Sequence, residues 1–320
     1  PVCRCFLQDL PVWPGGRENR TGVNGPILKG KILQDTTTLK AKGVQLVNTG
    51  RLAEAARLFL TAHSINRRDV EVLLALGIIN GMLGNYADSE RYLQAAVQIN
   101  PELAAAYYNL GIAQKYLGKL EEAAGSYSKA IDYDPGVPAY HNNLGNVLLE
   151  MRDLDNAMRC FNCALALVPD SANYYYNLGK TLKTKGLRQQ AADAYNKALQ
   201  FRPDFPAALQ ELGTVYLSLG NTAEAEKCYQ KALAIYPDDC NAISGLANVL
   251  TRSGRYEQAC RLLEPHLDYH GDSAAIAIAF AGVAPHTDRV NHAMDLLEQQ
   301  LCQNKDISTD SSAQIHFRLG

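Results

Sequence analysis

Residue sets that could support nucleotide chemistry or metal binding are few, and each lacks a necessary member. Gly179-Lys180-Thr181 resembles the end of a phosphate-binding loop, but that loop needs a glycine five residues before its Gly-Lys pair, where Tyr174 stands. Cys160 and Cys163 have the spacing of two zinc ligands, and no second pair follows at finger spacing. His266 and His270 fall where a helix is expected to end, and the helix dipole favours histidine there.

The common catalytic motifs H-E-x-x-H and G-x-S-x-G and the dinucleotide motif G-x-G-x-x-G do not occur in the chain. We therefore expect no catalytic residues, no metal site and no cofactor in this chain, which itself is no enzyme.

A different polar set recurs at a fixed interval. Asn109, Asn143 and Asn177 are separated by 34 residues each. An asparagine amide offers both a donor and an acceptor, so it can pair with a peptide unit of an extended chain. A row of them would bind a polypeptide backbone with little regard for its sequence.

The same interval governs the whole chain. Prolines fall at 101, 135, 169, 203 and 237, and they define frames that start at 36, 70, 104, 138, 172, 206, 240 and 274. Position 8 of the first six frames is glycine, and position 24 is a large apolar or aromatic residue in every frame. Position 15 is glycine in most frames, which predicts a left-handed residue at the end of a first helix. Each frame thus predicts two antiparallel helices, which must stack on neighbouring pairs to bury their apolar faces.

This pattern resembles the tetratricopeptide repeat (TPR) family. The resemblance implies an all-α fold, a right-handed superhelical solenoid of antiparallel helix pairs whose first helices form a concave wall. We expect a poorly ordered leader at 1–35, eight TPR units at 36–307 with the last two irregular, and the truncated beginning of a further repeat at 308–320.

Helical periodicity places positions 2, 5, 6, 9, 12 and 13 of each frame on the concave face. The three asparagines stand at position 6, and their predicted companions in the groove are Asn142, Asn146, Asn173, Tyr108, Tyr176, Lys115, Lys180 and Lys183. Two interpretations stay open: the asparagines bind a peptide, or they are consensus residues that cap or bond adjacent helices.

Composition narrows the class of partner. Thirty-one basic and 33 acidic residues leave a net charge of −2, which favours neither nucleic acid nor an anionic membrane as partner. No apolar stretch approaches the roughly 20 residues of a bilayer span. Eight cysteines are too few for a disulfide scaffold, so we expect reduced thiols and a cytoplasmic location.

The asparagine row also resembles the TPR arrays that precede the catalytic domain of O-linked N-acetylglucosamine transferases. The irregular end is similar to bacterial TPR arrays fused to a sulfotransferase domain. In no frame do positions 5 and 9 together carry the Lys and Asn with which chaperone cofactors bind a terminal carboxylate. We predict a protein–protein interaction module that binds an extended polypeptide, the substrate-recruiting part of a larger glycosyl- or sulfotransferase. The alternative is a stand-alone scaffold for assembling a protein complex. The sequence predicts no oligomeric state.

Overall fold

The computed structural model describes residues 26–267 and 274–287, which form fifteen α-helices and one 3-10 turn without a strand. The helices group into two compact units that meet in sequence between Asp153 and Leu154. The first unit comprises α1 Pro26–Asn48, α2 Leu52–Ile65, α3 Val70–Met82, α4 Tyr86–Ile99, α5 Ala104–Tyr116, α6 Leu120–Tyr133 and α7 Pro138–Glu150. The second comprises α8 Leu154–Leu167, α9 Ala172–Thr184, α10 Arg188–Phe201, α11 Pro206–Ser218, α12 Thr222–Ile235, α13 Cys240–Arg252, α14 Tyr256–Leu267, α15 Ala274–Val283 and a 3-10 turn at Ala284–His286.

From α3 onward, every odd-numbered helix begins at the first position of a frame, at 70, 104, 138, 172, 206, 240 and 274. The first helix departs from this register because it begins at Pro26, inside the segment predicted to be a poorly ordered leader. Residues 26–35 are part of this helix. Proline is well suited to the first turn of a helix, and Ile27, Leu28 and Lys29 continue it. The rest of the leader, the second helix of the eighth frame and residues 308–320 lie outside the described residues.

In the pairs α1–α2, α3–α4, α5–α6, α9–α10 and α11–α12, the position-24 side chain and the position-8 glycine form the seam between the two helices. Tyr127 and Tyr195 are almost completely buried in two of these seams. A Cβ atom added at Gly111 would lie 2.8 Å from the Tyr127 ring, and one added at Gly179 would lie 2.7 Å from the Tyr195 ring. The missing side chain is therefore what lets the two helix backbones approach each other. This geometry confirms the predicted all-α repeat fold.

The turns that join the two helices of a pair share one hydrogen bond and one backbone conformation. The residue after the turn donates its N–H to the carbonyl five residues back along the chain, as Lys119 does to Gln114 O at 2.9 Å, the bond of a Schellman motif. Position 15 has positive φ in all of these turns, and it is glycine everywhere except at Arg152, with φ 65°. An arginine in this left-handed region costs about 1 kcal/mol.

The last two described repeats are irregular in the way the prolines predicted. Pro265 lies inside α14, and α15 ends at Val283 before the 3-10 turn that contains Pro285. Among the described residues, no helix combines the length and apolarity that crossing a membrane requires.

Successive repeats are joined by polar and aromatic pairs at equivalent positions. A carboxylate at position 21 binds a cation at position 16 of the next frame, Glu90 to Lys119 at 2.8 Å and Glu226 to Arg255 at 2.6 Å. Position 17 stacks on position 13 of the next frame, as in Tyr86–Tyr116, with ring centroids 4.4 Å apart. These contacts occur only between some successive repeats, so the repeats are not equivalent.

The buried seam predicts opposite outcomes for one substitution at two helical glycines. Gly111→Ala should lower the free energy of unfolding by about 1–3 kcal/mol, because the new methyl overpacks the Tyr127 ring. Gly125→Ala should raise it by up to about 1 kcal/mol, since this exposed helical glycine has open space around it. Urea unfolding of both variants tests the prediction, and equal effects would contradict the seam.

The Glu226–Arg255 pair predicts a pH dependence. The guanidinium hydrogen-bonded to Glu226 lowers the pKa of that carboxyl in the folded state. Its stabilisation is therefore complete above the unfolded value of about 4.3 and is lost as the pH falls through the lower folded value. Because the pair is partly exposed, Glu226→Gln should cost at most about 1 kcal/mol at neutral pH. Urea unfolding at pH 7 and pH 3 measures this difference, which should be smaller at pH 3; a constant difference would refute the linkage.

Candidate functional site

The second unit has an open groove with a volume of about 840 Å³. Side chains of α9, α11, α13 and α15 line it, almost all from positions 2, 5, 6, 9 and 12 of their frames. These are the positions that the periodicity assigned to the face opposite the packed one. The groove is thus a direct consequence of the 34-residue register.

Charge in this groove is confined to one neutral pair. Lys183 on α9 donates to Glu211 Oε2 on α11 at 2.5 Å. Gln210 donates to Asp239, and the other oxygen of that carboxylate accepts from the backbone of Asn241 at 3.0 Å, so Asp239 caps α13. The remaining lining is uncharged: amides and hydroxyls on α11 and α13, and Ala, Ile, Gly and Pro on α15 with its 3-10 turn.

Tyr229 lies at the floor of the groove between two glycines. A Cβ at Gly213 would lie 2.9 Å from its ring, and one at Gly245 would lie 2.4 Å from it. The Tyr229 hydroxyl is 3.0 Å from Thr214 Oγ1, and burial raises the pKa of this tyrosine while the Thr214 bond opposes that rise. Glycine at position 6 of the seventh frame therefore serves packing, whereas the third to sixth frames carry a polar side chain there.

Five predicted site residues belong to the fifth frame. Asn173 is exposed and accepts from Arg202 at 3.2 Å, and Asn177 is half-buried on the predicted face. Tyr176 packs against Phe205, with centroids 5.0 Å apart, and Lys180 Nζ lies 5.9 Å from the Tyr176 centroid. Lys183 is the only predicted residue that lines the groove itself within the described part of the chain.

In the first unit the predicted asparagines make bonds within the protein. Asn109 donates to Ala105 O of its own helix at 2.8 Å. Asn143 on α7 donates to the Tyr108 hydroxyl on α5 at 3.1 Å and is hydrogen-bonded to the Tyr127 hydroxyl on α6. At Asn143 these bonds favour the interpretation that the side chain joins adjacent repeats.

The remaining predicted residues of the first unit differ in whether they form hydrogen bonds or ion pairs. Asn142 donates to Asn143 Oδ1 at 3.3 Å, and Lys115 forms an ion pair with Glu150 at 3.1 Å. Asn146 has no hydrogen-bond partner within the described residues and is half-buried.

Seven polar residues that line the groove on α11 and α13 were not predicted, although their repeat positions indicated this face. They stand at positions 2, 5, 6, 9 and 12 of the sixth and seventh frames: Gln210, Glu211, Thr214, Asn241, Ser244, Asn248 and Thr251. The prediction followed the repeated asparagine of position 6 rather than the whole face.

The cysteines of the described part are free thiols. Cys160 and Cys163 lie on α8, and Cys228 is buried on α12, where burial raises the pKa of its thiol to about 11. No group of three potential metal ligands occurs within 26–267 and 274–287.

Stacked antiparallel helix pairs in a 34-residue register define a helical repeat protein. Within this class the chain is a tetratricopeptide repeat protein. Family models described as tetratricopeptide repeats match residues 41–104, 137–204, 206–239 and 228–261, and a TPR repeat model matches residues 113–152. Every matched model is a repeat model. No curated protein sequence matches the chain.

Solved structures share the fold. MamA is 25% identical, with a TM-score of 0.50 over 53% of this chain and 93% of the MamA chain. A tetratricopeptide repeat protein from Parabacteroides merdae is 18% identical, with a TM-score of 0.63 over 78% of this chain and 99% of that one. YrrB, a TPR protein with an unusual peptide-binding site, is 20% identical, with a TM-score of 0.52 over 59% of this chain and 97% of its own.

The bonds of Asn143 predict a difference between two asparagines one turn apart on α7. Asn143→Ala should lower the free energy of unfolding by about 1–3 kcal/mol, because the Tyr127 hydroxyl would be buried without a partner. Asn146→Ala should change it by less than about 0.5 kcal/mol. Chemical denaturation measures both, and a stable Asn143→Ala protein would contradict the bonding role.

Proposed function

We propose that this protein is an interaction module that binds an extended polypeptide segment in the groove of its second unit. One observation carries the proposal: consecutive first helices project amide and hydroxyl side chains into one open groove. Among the described residues that line it, the only charged ones are Lys183 and Glu211, and they neutralise each other. Gln210, Asn241 and Asn248 each offer donors and acceptors to peptide units. Alanine, isoleucine and proline on α15 and its 3-10 turn add an apolar wall for a side chain of the bound segment.

The fold supports this class of ligand. YrrB, which shares it, is a TPR protein with an unusual peptide-binding site. The predicted asparagine row, Asn109, Asn143 and Asn177, remains part of the proposal as a set of further backbone contacts. Asn143 is its weakest member, because its amide is already bonded to two tyrosines of the neighbouring repeat.

The finer proposal is that the module recruits protein substrates for a glycosyl- or sulfotransferase. Its support is the resemblance of the asparagine row and of the irregular last repeats to the arrays of such enzymes. The alternative is a scaffold that assembles a protein complex. Reading the coding sequence beyond Gly320 distinguishes a catalytic domain from further repeats.

Filling the groove with a large side chain should weaken peptide binding. Asn248 is exposed and lines the groove on α13, so Asn248→Trp places a large ring there without disturbing the core. Peptides selected from a random library on the native protein should bind this variant about 10-fold more weakly or worse, a loss of about 1.4 kcal/mol or more. Titration with a labelled peptide measures the loss.

The matched control is Ala234→Trp, an equally large change at an exposed position of the second helix α12, away from the groove lining. It should bind as the native protein does, and circular dichroism should show equal helicity for both variants. Undiminished binding by Asn248→Trp would refute the groove as the binding site.

A further inference from the structure

Lys180 stands apart from the other lysines of the predicted groove set. Lys115 and Lys183 each bind a carboxylate of the next repeat, Glu150 and Glu211. Lys180 has no carboxylate within ion-pair distance among the described residues, and the ammonium of its half-buried side chain lies 5.9 Å from the Tyr176 centroid. The fifth frame therefore holds one positive charge that no described residue neutralises.

A second unmet donor lies in the same frame. The Tyr195 side chain is completely buried, and its hydroxyl has no hydrogen-bond partner within the described residues. Its ring packs on Gly179, the residue before Lys180, and on Tyr176, one turn earlier on α9. Burial raises the pKa of Tyr195 and the nearby Glu211 charge raises it further, so the hydroxyl keeps its proton.

The tyrosines at the same position of two other frames each have a hydrogen-bond partner for the hydroxyl. The Tyr127 hydroxyl bonds to Asn143, at position 6 of the next frame, and the Tyr229 hydroxyl bonds to Thr214, at position 9 of its own frame. For Tyr195 the corresponding residues are Glu211, whose carboxylate is held by Lys183, and Lys180, whose ammonium can only donate. Lys180 and Tyr195 both lie beside the Tyr176 ring, and neither donor has an acceptor among the described residues.

We infer that this point receives a carboxylate from an Asp or Glu side chain of the bound polypeptide, with Lys180 as its ion-pair partner and the Tyr195 hydroxyl as a second donor. The flexible Lys180 side chain swings off the Tyr176 ring to admit the acidic group. This inference rests on the proposed function, because it specifies the sequence of the segment that the module binds.

The first test uses peptides selected from a random library on the native protein. Selected peptides should contain an Asp or Glu whose replacement by Asn or Gln weakens binding about 10-fold, as expected for hydrogen bonds to a charged group. Amidating the peptide C-terminus should have no effect. Loss on amidation with indifference to Glu→Gln would overturn the assignment to a side chain.

Lys180→Met should remove the preference for Glu over Gln peptides while keeping an apolar stem on Tyr176. The control is Lys129→Met, since Lys129 lies 5.2 Å from the Tyr107 centroid in the same kind of contact, on a second helix. Lys129→Met should keep the preference. Retention of the preference in Lys180→Met would overturn the inference.

Tyr195→Phe separates a binding role from a structural one. It should weaken binding of the acidic peptide about 3- to 10-fold, the range for one hydrogen bond. Its unfolding temperature should stay the same or rise, because a buried hydroxyl without a partner is removed. Tyr127→Phe should unfold at a lower temperature, since it deprives Asn143 of a partner. Unchanged peptide affinity in Tyr195→Phe would overturn the role of the hydroxyl.

Different results would refute the proposed function and the carboxylate site. If the native protein retains no peptide from the library, the proposed function itself is wrong. If it retains peptides that bind equally well with Gln in place of Glu, the function stands and the carboxylate site is wrong.

Discussion

The contact between a large position-24 side chain and a glycine on the facing helix sets the separation of the two helices in a pair. Tyr195 against Gly179 and Tyr229 against Gly213 are its clearest cases, because a single methyl group on either glycine would overlap the ring. Large-to-small complementarity of this kind is specific, since overpacking a close seam is costly. Burial of the rings also orients the first helix, whose remaining positions then face away from the seam.

That orientation produces the groove of the second unit. In α11 and α13, most side chains at positions 2, 5, 6, 9 and 12 line the groove rather than the seam, so they can vary with less effect on the fold. Thr214 and Gly245 are exceptions, because the first bonds to the Tyr229 hydroxyl and the second makes room for its ring. The groove floor therefore belongs to the core, and only its walls are available to evolve toward a partner.

The period of the sequence was sufficient to predict helix starts, the packed seam and the concave face, because each depends on one residue type at one repeat position. It could not predict which polar groups meet across repeats. Asn143 occupies the same position as Asn109, yet it bonds to Tyr108 of the preceding repeat while Asn109 bonds to its own helix. These choices depend on side-chain rotamers and on neighbours 35 residues away. For the same reason, the sequence did not predict the Lys183–Glu211 pair or the lack of a hydrogen-bond partner for the Tyr195 hydroxyl among the described residues.

The pairs between repeats also restrict how this array can change by recombination. Glu90 is held by Lys119 of the following repeat, at a position where the repeat after that carries Asp153. An in-frame deletion of residues 104–137 would preserve the 34-residue period and every packing glycine at the new junction. It would nevertheless bring Asp153 to the place of Lys119 and set two carboxylates against each other. Repeats with the same consensus residues are therefore not interchangeable, because the charges at positions 21 and 16 are complementary only between particular neighbours.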